Sequence, residues 1–154
     1  MMQQLIERYN LQPHPEGGYY REVYRSPQTV LSPVVDAERQ AVTHIYFLLT
    51  RGQISRFHRV RHDEIWNFYE GAPLRLVTYN EMTVQEQLLG PGCATYAGIV
   101  EGGLFQAAET TGDYSLMGCS VAPGFDFADF SFLADVPELV QRLEQKAPAY
   151  RRFL

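Results

Sequence analysis

The sequence predicts an all-β domain, a sandwich or barrel, with one short helix at its start and one at its end. Three observations lead there. From Tyr19 to about Val121 the chain falls into short runs rich in Tyr, Phe, Val, Ile and Leu. Turn signals such as Arg51-Gly52, Glu70-Gly71-Ala72-Pro73, Gly90-Pro91-Gly92 and Gly102-Gly103 separate them. Apolar spacing of helical period occurs only at the two ends. A length of 154 residues with 45% hydrophobic, 20% charged and 13% aromatic content suits one ordinary globular core.

In chain order, Leu5, Ile6 and Tyr9 share one face of a helix from Gln3 to Tyr9. Pro13-His14-Pro15-Glu16-Gly17-Gly18 then stops it, since two prolines restrict φ and two glycines open turn conformations. That bend suits a purely structural role or a ligand contact through His14 and Glu16 equally well. Strands are expected at Tyr19 to Tyr24, Val42 to Leu49, Ile54 to Val60, Glu64 to Glu70, Leu74 to Tyr79, Gln85 to Leu89, Ala97 to Val100, Leu104 to Ala108 and Tyr114 to Val121. The polar, Pro-containing stretch Ser26 to Gln40 reads as a mobile loop. Phe125-Asp126-Phe127-Ala128-Asp129-Phe130 alternates aromatics with acids and reads as an edge strand with one buried face, with no functional role assigned. Asp135-Val136-Pro137-Glu138 offers an N-cap, a first-turn proline and a capping-box Glu ahead of Leu139, Val140 and Leu143. No repeat or linker divides the chain, so residues 1 to 154 are expected to form one domain.

With 13 Lys and Arg against 18 Asp and Glu, the net charge of -5 speaks against nucleic acid and anionic membrane as partners. The longest apolar run, Ile45 to Thr50, is far too short to span a bilayer, and Met1-Met2-Gln3-Gln4 lacks a basic leader, so a cytoplasmic protein is expected. Cys93 and Cys119 are too few for a disulfide framework and read as reduced, mostly buried thiols.

The chemistry concentrates between Gly52 and Gly71. If Ile54 to Val60 and Glu64 to Glu70 form a hairpin centred on Arg61, His58 stands opposite Glu64 with Cβ atoms about 5 Å apart. Strict alternation sends Ile54, Arg56, His58 and Val60 to one face, joined by Glu64, Trp66 and Phe68. Such a mixture fits an apolar pocket with convergent polar groups better than a dry core. His62 is expected to cap the turn in solvent, and His44 to be a satisfied core histidine or a pocket one.

The spacing of Gly52, His58, Glu64 and Gly71 resembles the first motif of the cupin superfamily, with Val60 in place of its second histidine. A weaker echo of the second motif runs from Glu101 to Ala108, where Gln106 replaces a histidine. Pro13 to Glu22, Phe57-His58-Arg59, Asp63-Glu64-Ile65-Trp66, Phe105-Gln106-Ala107 and Gly118 to Phe125 look like the signatures of a small single-domain cupin family described as predicted sugar epimerases. That family is similar in fold to the dTDP-4-dehydrorhamnose 3,5-epimerases.

The resemblance implies a double-stranded β-helix or jelly roll, a homodimer, and a pocket in the barrel mouth holding His58, Glu64 and Gln106. It also implies metal-independent epimerisation of a sugar or nucleotide-sugar. His58 would then be the general base, made more basic by Glu64, with Tyr20 or Tyr114 as acid and Arg56 or Arg21 gripping a diphosphate. Arg56, Trp66, Phe68, Gln106, His14, Glu16 and Tyr20 are the expected ligand contacts. No cofactor is expected; if a divalent metal is bound, its ligands would be His58, Glu64 and Gln106. Two other functions stay open: a non-catalytic ligand-binding cupin, and a metal-dependent oxygenase or isomerase.

Overall fold

The runs of branched and aromatic residues pair into two antiparallel sheets that bury them between and behind the layers. The computed structural model describes residues 1–154. It contains α1 (Met2–Tyr9), β1 (Gln12–Pro13), β2 (Tyr19–Arg25), β3 (Thr29–Ser32), β4 (Ala37–Gln40), β5 (Thr43–Thr50), β6 (Ile54–Arg59), β7 (Asp63–Gly71), β8 (Leu74–Tyr79), β9 (Val84–Leu89), β10 (Ala97–Val100), β11 (Phe105–Thr110), β12 (Tyr114–Ala122), β13 (Ser131–Phe132) and α2 (Pro137–Lys146). Short 3-10 turns lie at Phe127–Asp129, Leu133–Asp135 and Pro148–Phe153. One sheet runs β1-β2-β5-β12-β7-β10 and the other β13-β6-β11-β8-β9, while β3 and β4 form a separate hairpin. No helix is long and apolar enough to cross a membrane.

Alternation along β5 shows how the layers arise. Phe47 and Leu49 point between the sheets, against Trp66, Leu76 and Met117. Leu48 points outward and is covered by Leu5 on the apolar side of α1 and by Leu11 just beyond the helix. The second sheet is backed by α2, whose Leu139 and Leu143 join Phe153 against Phe57, Val77 and Phe105. Each such fully buried side chain contributes about 1.5 to 3 kcal/mol.

The nine expected strands are all present, with ends displaced by a residue or two, but their partnering differs from expectation at the centre of the chain. β6 and β7 are not a hairpin: β6 lies between β13 and β11, and β7 between β12 and β10 in the opposite sheet. A tight hairpin needs residues at positive φ, and none of Val60 to Asp63 adopts one. The chain instead steps across the sandwich there, so His58 and Glu64 face each other between the sheets.

A second departure is a β-bulge in β6, where Gln106 pairs with His58 and Ala108 with Ser55. The extra residue breaks strict alternation. Ser55 and His58 both turn inward, whereas Ile54 and Phe57 pack outward against the α2 layer.

Three further expectations change. Ser26 to Gln40 contains a regular hairpin, Thr29–Ser32 against Ala37–Gln40, with Asp36 taking the left-handed turn position at φ 52. Arg39 fastens it through a two-pronged bond to Asp129, at 2.9 and 2.8 Å. Phe125 to Phe130 is a bend and 3-10 turn instead of a strand, because the Asp126 carboxylate accepts the Ala128 N–H at 2.8 Å and caps the turn. Helix α2 begins one residue later than expected, with Val136 as N-cap, Pro137 in its first turn and no side-chain cap. Asp135 closes the preceding 3-10 turn.

Candidate active site

The site starts from the Pro13 to Gly18 bend. His14 N–H donates to Gly18 O at 2.9 Å and Gly17 N–H to His14 O at 3.0 Å, closing a tight turn with Gly17 at φ 108 and Gly18 at φ 77. The Arg56 N–H then donates to Glu16 O at 2.7 Å, stitching the bend to β6. A Cβ on Gly17 would collide with the Ile54 carbonyl, so only glycine lets the two backbones approach this closely. Gly17→Ala is therefore expected to lower Tm by at least about 4 °C, corresponding to about 2 kcal/mol, and to loosen Glu16 from β6. Thermal denaturation checks the first effect, and the His58 ring shift in an NMR spectrum the second.

This stitching drives the Glu16 side chain between the sheets, where only 6% of the residue is exposed. Its Oε2 accepts a hydrogen bond from Ser55 Oγ and lies 2.9 Å from His58 Nε2. His58 Nδ1 donates to the Arg56 carbonyl at 2.7 Å. With an acceptor facing each ring nitrogen, His58 is arranged as an imidazolium. Burial alone would push its pKa down, but the Glu16 charge and hydrogen bond, with Glu64 beyond, hold it above the ordinary histidine value. Burial likewise opposes the Glu16 charge, yet His58 keeps that carboxylate below its ordinary range.

Glu64 approaches from β7 in a different state. Burial pushes its pKa up to about 7, the Glu16 charge adds to the rise, and His58, Gln106 and Cys119 restrain it. Gln106 Nε2 donates to Glu64 Oε1 at 2.9 Å, and Trp66 Nε1 donates to Gln106 Oε1 at 2.7 Å, so the indole orients the amide and the amide orients the carboxyl. Cys119, also buried, is raised well above the ordinary thiol value by burial and by the two carboxylates, and stays protonated. His14 accepts the Glu16 N–H on Nδ1 at 3.1 Å, which places its proton on Nε2. Burial, only partly offset by Glu16, keeps it below the ordinary value and neutral.

These groups open onto a cavity of about 320 Å³. His14, Glu16, His58, Glu64 and Cys119 form its polar floor, Tyr20, Glu22 and Arg25 one wall, and Phe125, Phe127 and Phe130 its rim. Phe130 stacks on the His58 ring, with centroids 5.4 Å apart and planes 19° apart. Tyr20 meets the His14 ring edge-on at 4.5 Å.

Five of the expected site residues thus converge on the cavity: His14, Glu16, Tyr20, His58 and Glu64. Gln106 and Trp66 stand directly behind Glu64, fully buried and outside the cavity wall. Phe68 is further away, packed on Tyr96 at 5.9 Å. The β6 bulge turns Arg56 out of the pocket, over the Phe132 ring at 4.2 Å and toward the Pro15 carbonyl at 3.3 Å. Arg21 lies on the outer face of its sheet over Tyr46, and Tyr114 donates to Glu70 at 2.8 Å there. His62 does not cap a turn in solvent. It is buried and hydrogen-bonded to Ser32 Oγ at 2.6 Å, because the β3–β4 hairpin covers it. His44 belongs to neither core nor pocket, bridging Ser120 Oγ at 2.7 Å and Tyr69 OH at 3.0 Å on the outer face. Phe125, Phe127, Phe130, Glu22, Arg25 and Cys119 were not expected at the site. The aromatic and acidic alternation from Phe125 to Phe130 was the available signal.

The donor set does not fit a divalent metal. Both His58 nitrogens are engaged, both ends of the Gln106 amide are engaged, and Val60 supplies a hydrocarbon wall in place of a second imidazole. No three His, Cys, Asp or Glu side chains converge in ligand geometry.

Two facing antiparallel sheets, with a cavity between them that opens at one end, define a double-stranded β-helix of the cupin kind. The chain belongs to the family described as cupin superfamily (DUF985), which it matches over residues 3–133. It is 32% identical over 171 residues to the uncharacterized protein YML079W of Saccharomyces cerevisiae, covering 99% of this chain and 85% of that protein. A hypothetical protein from Leishmania major superposes with a TM-score of 0.82 at 32% identity, over 97% of this chain and 93% of that one. Oxalate decarboxylase from Bacillus subtilis shares the fold alone, with a TM-score of 0.60 at 18% identity over 80% of this chain and 30% of that one.

Proposed function

We propose that the cavity binds a small carbonyl compound of free-sugar size and moves a proton at the carbon beside its carbonyl, an isomerase or epimerase reaction. Glu64 carries this reading: a buried carboxyl with a pKa of about 7 on the cavity wall has the proton affinity that general acid–base catalysis at neutral pH requires. The base in this reading is Glu64 and not His58, whose ring is held by Glu16. Glu64 takes the proton from carbon, the electron pair of the broken C–H bond moves onto the carbonyl oxygen, and the Nε2–H of His14, which no protein acceptor engages on the cavity floor, stabilises the enolate that forms. Tyr20, on the same cavity, supplies a proton for the opposite face.

The size and charge of the cavity favour a free sugar over a nucleotide-sugar. Its volume of about 320 Å³ holds on the order of ten to twenty non-hydrogen atoms. Its cations are already engaged, His58 by Glu16 and Arg25 by Glu22, Gln40 and the Phe125 carbonyl. The aromatic rim offers apolar faces for the C–H side of a sugar ring.

The test is NMR of a panel of neutral keto sugars in D2O with wild type and Glu64→Gln. Exchange of the carbonyl-adjacent proton by wild type and its loss in the variant support the proposal. Saturable binding with no exchange would instead identify a ligand-binding cupin.

A further inference from the structure

Although the chain carries a net charge of -5, three arginines gather at one place outside the cavity. Arg39, Arg59 and Arg61 line a solvent-open cleft of about 520 Å³ that shares Phe130 with the cavity as a common wall. Asp129 is the only carboxylate lining it, and Arg39 engages both of its oxygens. The other two guanidiniums keep free donors. Arg59 stacks on the Phe105 ring at 4.6 Å, its Nε is buried without a partner, and its Nη1 is 3.8 Å from the nearest carboxylate, Glu81. Arg61 makes one long bond, Nη2 to Val34 O at 3.5 Å.

A guanidinium presents five N–H donors in a rigid fork that matches the oxygens of a tetrahedral anion. We propose that this cleft is a second binding site, specific for a phosphate-class oxyanion gripped by Arg59 and Arg61. Arg39 is held at its edge by Asp129, which offsets its charge and leaves Arg59 and Arg61 as the binding groups. The site is separate from the proton-transfer groups and does not depend on the reaction proposed for them.

The experiment is a thermal-shift titration with inorganic phosphate at constant ionic strength, balanced with chloride, on wild type, Arg59→Gln and Arg61→Gln. Wild type should show a saturable rise in Tm, accompanied by shifts of the Ala128 to Ser131 amides in a 15N spectrum. The half-maximal concentration should rise roughly tenfold in each variant, as loss of one charge-assisted pair implies. Arg61 is exposed, so its variant tests the site even if Arg59→Gln disturbs the packing on Phe105. A second arm with glucose 6-phosphate separates the sources: equal affinity marks a site for the free anion, tighter binding one for a phosphate ester. A wild-type response to phosphate no larger than that to chloride, or one undiminished in Arg61→Gln, overturns the proposal.

Discussion

Glu64→Gln should slow proton exchange at the carbonyl-adjacent carbon by about 10²- to 10⁴-fold, the range for loss of a positioned general base, and should also stabilise the fold at alkaline pH. The amide keeps the shape of the carboxyl and can still accept from Gln106 Nε2, so its packing is preserved. Its effect on stability follows from protonation. The pKa of Glu64 rises from 4.5 to about 7 on folding, so the folded state holds the proton more tightly than the unfolded chain does. The stability that this confers is complete below the unfolded value and is lost as pH climbs through the folded one. By pH 8 the ionised, buried carboxylate costs about 3 kcal/mol relative to its neutral form. Glu64→Gln avoids that loss, so its Tm should match wild type at pH 4 and exceed it by about 5 to 10 °C at pH 8. Calorimetry at the two pH values checks the sign. Such a trade of stability for a reactive group is expected of a catalytic carboxyl and not of a structural one.

Glu16→Ala should be the most destabilising single change at the site, by about 3 to 5 kcal/mol, because it leaves a buried imidazolium without its counter-charge and Ser55 Oγ without its acceptor. The penalty should depend on pH in a way that an ordinary cavity-forming mutation does not. Glu16 is lowered from 4.5 on folding, so its contribution is present above that value and lost as pH falls through the folded pKa. His58 is raised above 6.5, so its contribution is present below that value and lost as pH rises through the folded pKa. The gap between wild type and variant is therefore widest between pH 4.5 and 6.5 and narrows on both sides. Urea denaturation across that range measures it. In the variant, burial dominates the His58 environment and its pKa should drop below the ordinary value, visible in the ring proton shifts.

Local features of this chain were legible because they are encoded locally. The strand runs, their turns, the two helices and the stiff Pro13 to Gly18 bend all follow from composition and spacing within a few residues. His58 and Glu64 stood out for the same reason, as polar groups interrupting apolar runs. Long-range partnering was not legible. An alternating strand has the same pattern whichever sheet it joins, so nothing in Ile54 to Glu70 showed that β6 and β7 lie in opposite sheets. The β6 bulge is equally silent, yet it decides that Ser55 faces inward and Arg56 outward. Glu16 becomes the partner of His58 only through a backbone contact between the bend and β6, and His62 is buried only because a distant hairpin covers it. The site is therefore assembled from pieces that the sequence displays separately, by contacts that it does not display.

Glu64 is the central claim, and its titration is the direct test. Carboxyl 13C NMR of glutamate-labelled protein, with Glu64→Gln to assign the resonance, should show one carboxyl with an inflection near pH 7, as burial beside Glu16 and His58 requires. An inflection near 4.5, the ordinary value, would mean that the carboxyl is fully ionised at neutrality and would contradict the assignment of Glu64 as the proton-transfer group.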